Sequence, residues 1–248
     1  MKEQIKHIPG IVPTVRKTRE LRDSVRRSLP GARFYVARAR RARAVDKYLR
    51  NHSVRRLQLG AGNNPYPRWL NTDVVDFTRR NEVIYLDARK PFPLPDDSFD
   101  TVFTEHMIEH LTYAEGRHCL AECRRILRPD GLIRVATPSL EQLIALYGDE
   151  QTELQHDYLQ WSIDTFAANA DVYLPGFVLN NMFRNFGHEF VYDKETLSHS
   201  LQSAGFVDIE EFPVGESNAP ELKSLERHMR RVADFNAYET LVLEAKSP

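Results

Sequence analysis

Five short apolar segments alternate with stretches of helical character, and this alternation constrains the chain more than any other feature. They are RLQLG at 56–60, WLNTDVV at 69–75, EVIYLD at 82–87, FDTVFTEH at 99–106 and GLIRVATP at 131–138. Apolar runs separated in this way build a parallel sheet covered by helices. Between the fourth and fifth, Cys119, Leu120, Cys123, Ile126 and Leu127 recur at intervals of three and four, which predicts an amphipathic crossover helix over 113–127. The turn RPDG should stop it, because Pro129 cannot continue a helix and Gly131 eases the turn into the next strand. Further on, Asp193 can cap a helix carrying Leu197, Leu201 and Ala204 that Gly205 terminates. FVDIEEF and AYETLVLEA, at 237–245, then read as the last strands. The expected fold is α/β, with a Rossmann-like, doubly wound, mostly parallel sheet of seven strands and a basic helical N-terminal arm.

The arm stands out in the charge distribution. The first 56 residues hold 17 Lys or Arg against 4 Asp or Glu, and the remainder holds 17 against 31. Such an arm, read as helices broken near Pro30 and Gly31, can lie against phosphates of RNA, anionic lipid or a lipid-linked sugar, or dock on the acidic body of its own chain. We take it as residues 1–55, with the body as 56–248. No stretch approaches the apolar run a membrane helix needs, and 1–17 lacks the apolar core of a secretory signal, so a cytoplasmic location is expected. The only cysteines, Cys119 and Cys123, read as small residues on the inner face of their helix.

Residues 138–192 fit the alternation poorly. This insert is rich in Tyr, Phe, Trp, Asn and His and follows the fifth strand. Ligands on open α/β sheets bind beyond the carboxyl ends of the strands, so an insert there is expected to cap the acceptor side of a site. The alternative is a helical pair that only packs on the sheet edge.

The first strand runs into Gly60, Ala61, Gly62 and Asn63. Glycines two apart let the backbone turn sharply and approach a ligand where a Cβ would collide. Tyr66 and Pro67 stand where a nucleotide-phosphate fingerprint needs its third glycine, which disfavours a pyrophosphate cofactor. Asp73 ends the second predicted strand, where a carboxylate can accept from both hydroxyls of a ribose, and Asp87 ends the third, placed for an adenine amino group. Either can instead cap a following turn. At the tips of consecutive strands, the pair is better explained by an adenosine.

In order, LQLGAGNNPYPRWLNTDVVD, YLDARKPFPLPDDSFDTVFTEHMIEHL and LAECRRILRPDGLIRVATP resemble the class I methyltransferases of the domain-11 type, especially members found with polysaccharide and glycosylation genes. The resemblance is dense over about 56–138 and looser over FRNFGHEFVYDKETLSHSLQSAGF. It implies S-adenosyl-L-methionine as cofactor, with Gly60, Ala61 and Gly62 beneath its methionine part and Asn63 beside them. It further implies Asp73 at the ribose, Asp87 and Ala88 at the adenine, and Glu105 and His106 at the methionine end and sulfonium. Two positions depart from the family: Arg68 stands where Gly commonly precedes the Trp, and Asp130 replaces the first Gly of the turn before strand five.

A sulfonium donor is already activated, so the protein mainly aligns the acceptor and excludes water. A hydroxyl acceptor also needs its proton removed. The candidate bases are His188 and His110 first, then His106, with Glu109 and Glu189 next; each histidine can equally be a hydrogen-bonded part of the cleft wall. HMIEH at 106–110 also matches the His-x-x-Glu-His pattern of inverted zinc peptidases, but that reading requires a long helix, and here a strand pattern leads straight into it. Nothing in the sequence requires a metal. The expected activity is O-methylation of a saccharide or glycoconjugate, the saccharide resting on analogy. The alternatives are an RNA methyltransferase using the basic arm and a non-catalytic cofactor-binding module.

Overall fold

The segment RLQL at Arg56–Leu59 (β1) is an interior strand of a seven-stranded sheet, with Leu57 and Leu59 buried on one face and Gln58 on the other. The computed structural model describes residues 32–75, 82–167, 169–229 and 232–248. The basic stretch 1–31, with the helix break expected near Pro30, lies outside the described residues. The helix Ala32–Asn51 (α1) leads into β1. It is followed by Leu70–Asp73 (β2), Ile84–Tyr85 (β3), Phe99–Glu105 (β4), Tyr113–Ile126 (α2) and Leu127–Pro138 (β5). Then come Leu140–Ala145 (α3), Glu153–Phe166 (α4), Pro175–Arg184 (α5), Lys194–Ser203 (α6), Val207–Glu211 (β6), Ala233–Glu239 (α7) and Thr240–Lys246 (β7).

The strands lie in the order β3-β2-β1-β4-β5-β7-β6. Five are parallel, while β7 runs antiparallel to both β5 and β6. The order grows outward in both directions from β1 and β4, so the crevice for a ligand opens beyond their carboxyl ends. Among the described residues no helix is long and apolar enough to cross a membrane.

Three local expectations shift. The crossover helix ends at Ile126, before the RPDG turn, because Leu127 is already extended and pairs with Phe99. Its start is as the sequence implies: Thr112 and Glu115 form a reciprocal capping box. The last strand begins at Thr240 and not at 237, since 233–239 close a helix whose Glu239 side chain accepts a hydrogen bond from Tyr158. The third strand is only two residues long, so Asp87 lies beyond it.

The sheet has two unlike faces. On one, Leu57, Leu59 and Val102 pack with Val45 and Tyr48 of α1, Cys119, Leu120 and Cys123 of α2 and Leu197 and Leu201 of α6. On the other, Asn71, Gln58, Phe103, Arg134 and Glu244 stand side by side across five strands. No helix follows β1 to cover this polar row. The β6–α7 connection roofs it, with Leu222 and Leu225 against Tyr66 and Phe103. Arg134, fully buried, clamps the roof: Nε donates to Glu226 (2.6 Å), and Nη1 donates to the Glu216 carbonyl and to Glu244. A buried guanidinium is tolerated only with such pairing.

The insert contributes three helices, α3 to α5, around a second core of Leu143, Leu146, Tyr158, Trp161, Val178 and Met182. Phe235 and Tyr238 of α7 pack against it. Ser139 and Tyr192 bridge the two ends of the insert beside the sheet.

Candidate functional site

Gly60 and Gly62 both adopt left-handed backbone, with φ of 68° and 51°. A Cβ on Gly60 would lie 2.5 Å from Met107 Cγ, so the first loop and the segment after β4 meet at a distance only glycine permits. At Gly62 nothing lies within 4 Å of the Cβ position, which leaves an open cradle. Asp73 fixes the loop from the side: Oδ2 accepts from the Gly62 N–H (2.9 Å) and Oδ1 from the Val75 N–H (3.2 Å). Asn63 is exposed, and Ala61 is buried with its N–H donating to the Thr72 carbonyl.

Asp87 serves its own turn. Its carboxylate accepts from Arg89 Nε (2.7 Å) and Nη2 (2.9 Å) and from the Arg89 backbone N–H. Burial pushes this carboxyl up, but Arg89 and Lys90 outweigh it and hold the group below the usual range. Adjacent Ala88 is buried.

Beyond β4 the chain turns abruptly. His106 is left-handed, with φ 46°, and only a single 3-10 turn, Ile108–His110, follows. His106 and His110 therefore do not share a helix face, and the zinc-peptidase arrangement is not formed. Glu105 Oε1 accepts from the backbone N–H of Arg227 and of His228, both at 2.7 Å, which ties the roof to the end of β4. Burial is the main cause that raises the Glu105 carboxyl.

Glu109 gathers all three candidate bases. It is fully buried, and Oε2 accepts from Thr137 Oγ1 at 3.1 Å. Oε1 lies 3.5 Å from His106 Nδ1 and 4.0 Å from His188 Nε2. Burial pushes this carboxyl up, yet the close approach of His106 and the fields of His110, His106 and His188 bring it down to about 2. Burial likewise lowers His106, but Glu109, Glu239 and Glu105 leave it raised. His188 goes the other way, burial holding it at about 4, so it is neutral near pH 7. His110 Nδ1 faces the Gly187 carbonyl at 3.2 Å, and its ring meets that of His188 at 69°. Glu189, the remaining candidate, is exposed.

Three further groups join from places where the sequence carried no motif. His228, from the roof, stacks on His106 with ring centroids 3.9 Å apart. Thr240 Oγ1 stands 3.3 Å from His106 Nε2, and Glu239 Oε1 lies 3.8 Å from His228 Nε2. Glu239 and Thr240 were hidden inside what read as a strand, and His228 sits in a charged stretch, ERHMRR, that reads as solvated surface.

Residues 57–135 match the sequence profile of the family described as the methyltransferase domain. Over that segment the chain is similar to a methyltransferase domain. Its cofactor is S-adenosyl-L-methionine, and the sheet, with one antiparallel strand set between β5 and β6, is the Rossmann-like methyltransferase fold. The matched segment runs from β1 into β5, so it spans the glycine loop and the Glu105–His110 turn but not the insert or the roof. No curated protein matches the sequence. Similar solved structures include a carbon methyltransferase, CurJ, at 15% identity over 78% of this chain and 48% of that one, TM-score 0.42. The chain thus spans about half the length of that protein. A SAM-dependent methyltransferase from Archaeoglobus fulgidus is 19% identical over 87% of this chain and 95% of that one, TM-score 0.47. A possible histamine N-methyltransferase from Thermotoga maritima is 15% identical over 86% and 97%, TM-score 0.46. The cradle at Gly62, with the Asp73 carboxylate on its rim, fits a cofactor whose backbone-facing part is uncharged by phosphate.

Proposed function

We propose that this methyltransferase transfers the methyl group to a hydroxyl oxygen, with a saccharide or glycoconjugate as the acceptor class. The observation that carries this reading is the contact of Gly60 with Met107, which sets the cofactor loop one residue from a partly buried histidine backed by a carboxylate. A hydroxyl acceptor must lose a proton as its oxygen attacks, and an imidazole oriented by a carboxylate is suited to take it.

In this reading Gly60, Ala61, Gly62 and Asn63 run beneath the methionine part of the cofactor, Asp73 accepts from the ribose hydroxyls, and Asp87 with Ala88 borders the adenine. Glu105 and His106 flank the sulfonium end. S-adenosylmethionine supplies a methyl on positively charged sulfur and leaves as the neutral thioether. His106 receives the acceptor's proton, and Glu109 stabilises the imidazolium across 3.5 Å. His110 and His188 line the same wall. The insert caps the acceptor side, where Tyr147, Tyr173 and Phe177 present exposed rings to a sugar face.

The test is calorimetric titration with S-adenosylmethionine, followed by incubation with methyl-labelled donor and panels of glycans and of RNA. Label in an alkali-stable ether on a glycan supports the reading. Label on RNA, lost as salt rises, would transfer the function to the basic arm. Cofactor binding without label in any acceptor would favour a non-catalytic module.

A further inference from the structure

We propose that Glu109, His110 and His188 form a binding site for a divalent transition-metal ion of the zinc type. One coordinating atom from each lies within 4.8 Å of the others. The residues come from two separate segments, the turn after β4 and the end of the insert, which fold to a common point.

The spacing within the group is wider than that of hydrogen-bonded groups. Glu109 is fully buried, yet its Oε1 makes no hydrogen bond. Within the proposed site His188 Nε2 stands 4.0 Å away, whereas a charge-assisted N–H···O bond closes to about 2.7–2.9 Å. Ligands held at about 2.0–2.2 Å from a tetrahedral ion are roughly 3.3–3.5 Å apart. A small inward movement of these side chains reaches that geometry. His188, with its side chain 7% exposed, also buries an Nδ1 that has no hydrogen-bond partner.

Orientation agrees. The Gly187 carbonyl can only accept, so His110 Nδ1 carries the proton and Nε2 keeps the lone pair, as in metal-bound histidines whose other nitrogen is anchored to the backbone. The His110 and His188 rings meet at 69°, which lets both address one point. By contrast His106 and His228 stack at 25°, so the neighbouring group of His106, His228 and Glu239 presents its ring nitrogens side by side. Among the described residues no lysine or arginine pairs with Glu109, so its buried negative charge is balanced only by imidazoles or by an ion. Two imidazoles and one carboxylate favour zinc, cobalt or nickel over magnesium or calcium. Three protein ligands also leave a coordination position for an oxygen of water or acceptor.

This inference does not depend on the acceptor or on methyl transfer, and its test is separate. Chelator-treated full-length protein is titrated with Zn2+ by calorimetry and with Co2+ by visible absorption, and thermal melting checks that each variant folds. Native protein is expected to take up a single ion, to show the absorption of low-symmetry Co2+, and to melt higher with Zn2+. His188→Gln and the partly exposed His110→Ala should each weaken binding by roughly tenfold or more, while His228→Ala leaves it unchanged. Failure of the native protein to bind Zn2+ overturns the proposal. So does equal binding by the folded His110→Ala and His188→Gln variants, or loss confined to His228→Ala. Cofactor affinity, measured alongside, reports on the methyltransferase reading alone.

Discussion

The glycine loop after β1 and the histidine–carboxylate cluster sit next to each other but are built in opposite ways. The loop is local: Gly60, Gly62 and Asp73 lie within a short stretch and are fixed by hydrogen bonds between β1 and β2. The cluster is assembled from the turn after β4, the end of the insert, the roof and the start of β7, so it exists only when four distant segments are docked. A local site can be tuned by its own residues, whereas an assembled one is held by groups that never touch a ligand.

The sharpest way to separate the two is at His106. His106→Ala should lower turnover by about 10²- to 10⁴-fold while leaving S-adenosylmethionine affinity unchanged, as measured by labelled methyl transfer and calorimetry. Equal losses in both would show that loop and cluster are one unit. Next in size is the clamp under the roof. Arg134→Met leaves Glu226 and Glu244 buried without their cation and should cost about 3–5 kcal/mol in urea unfolding. The loosened roof should reduce turnover in the surviving folded protein more than cofactor affinity.

On the other side of the comparison, Asp73→Ala removes the side chain that holds the Gly62 amide and, in our reading, the ribose. Cofactor binding should weaken by about 10- to 100-fold, from hydrogen bonds to a charged group worth roughly 1.5–3 kcal/mol, with turnover at saturating cofactor little changed. The smallest effect is expected at Arg68, whose φ is 67°. Arg68→Gly should relieve left-handed strain and raise stability by about 1 kcal/mol, read as a shift in denaturation midpoint.

That last position shows how legible the sequence was. Arg68 and Asp130 were the two places where the resemblance led us to expect glycine, and both adopt left-handed backbone, with φ of 67° and 64°. The chain keeps the turn and accepts the strain. The sheet was legible because each long strand carries apolar residues on its helix-covered face, and the buried cysteines of α2 followed from their spacing. The sharp turn at Gly60 and Gly62 was legible because its constraints are short-range. The cluster was only half visible: His106, His110 and His188 could be named, but not that Glu109 brings them together, since a carboxylate inside HMIEH gives no sign of burial. His228 and Glu239 were illegible, because their positions depend on the Arg134 clamp and on Tyr158, contacts that span most of the chain.

The placement of β7 sets an order on synthesis. It lies between β5 and β6, so neither neighbour is fully paired until residues 240–246 have been made. Until then a nascent chain exposes the open edge of β5, with the apolar run LIRVATP, to other strands. The ribosome must therefore release most of this protein with an unprotected sheet edge.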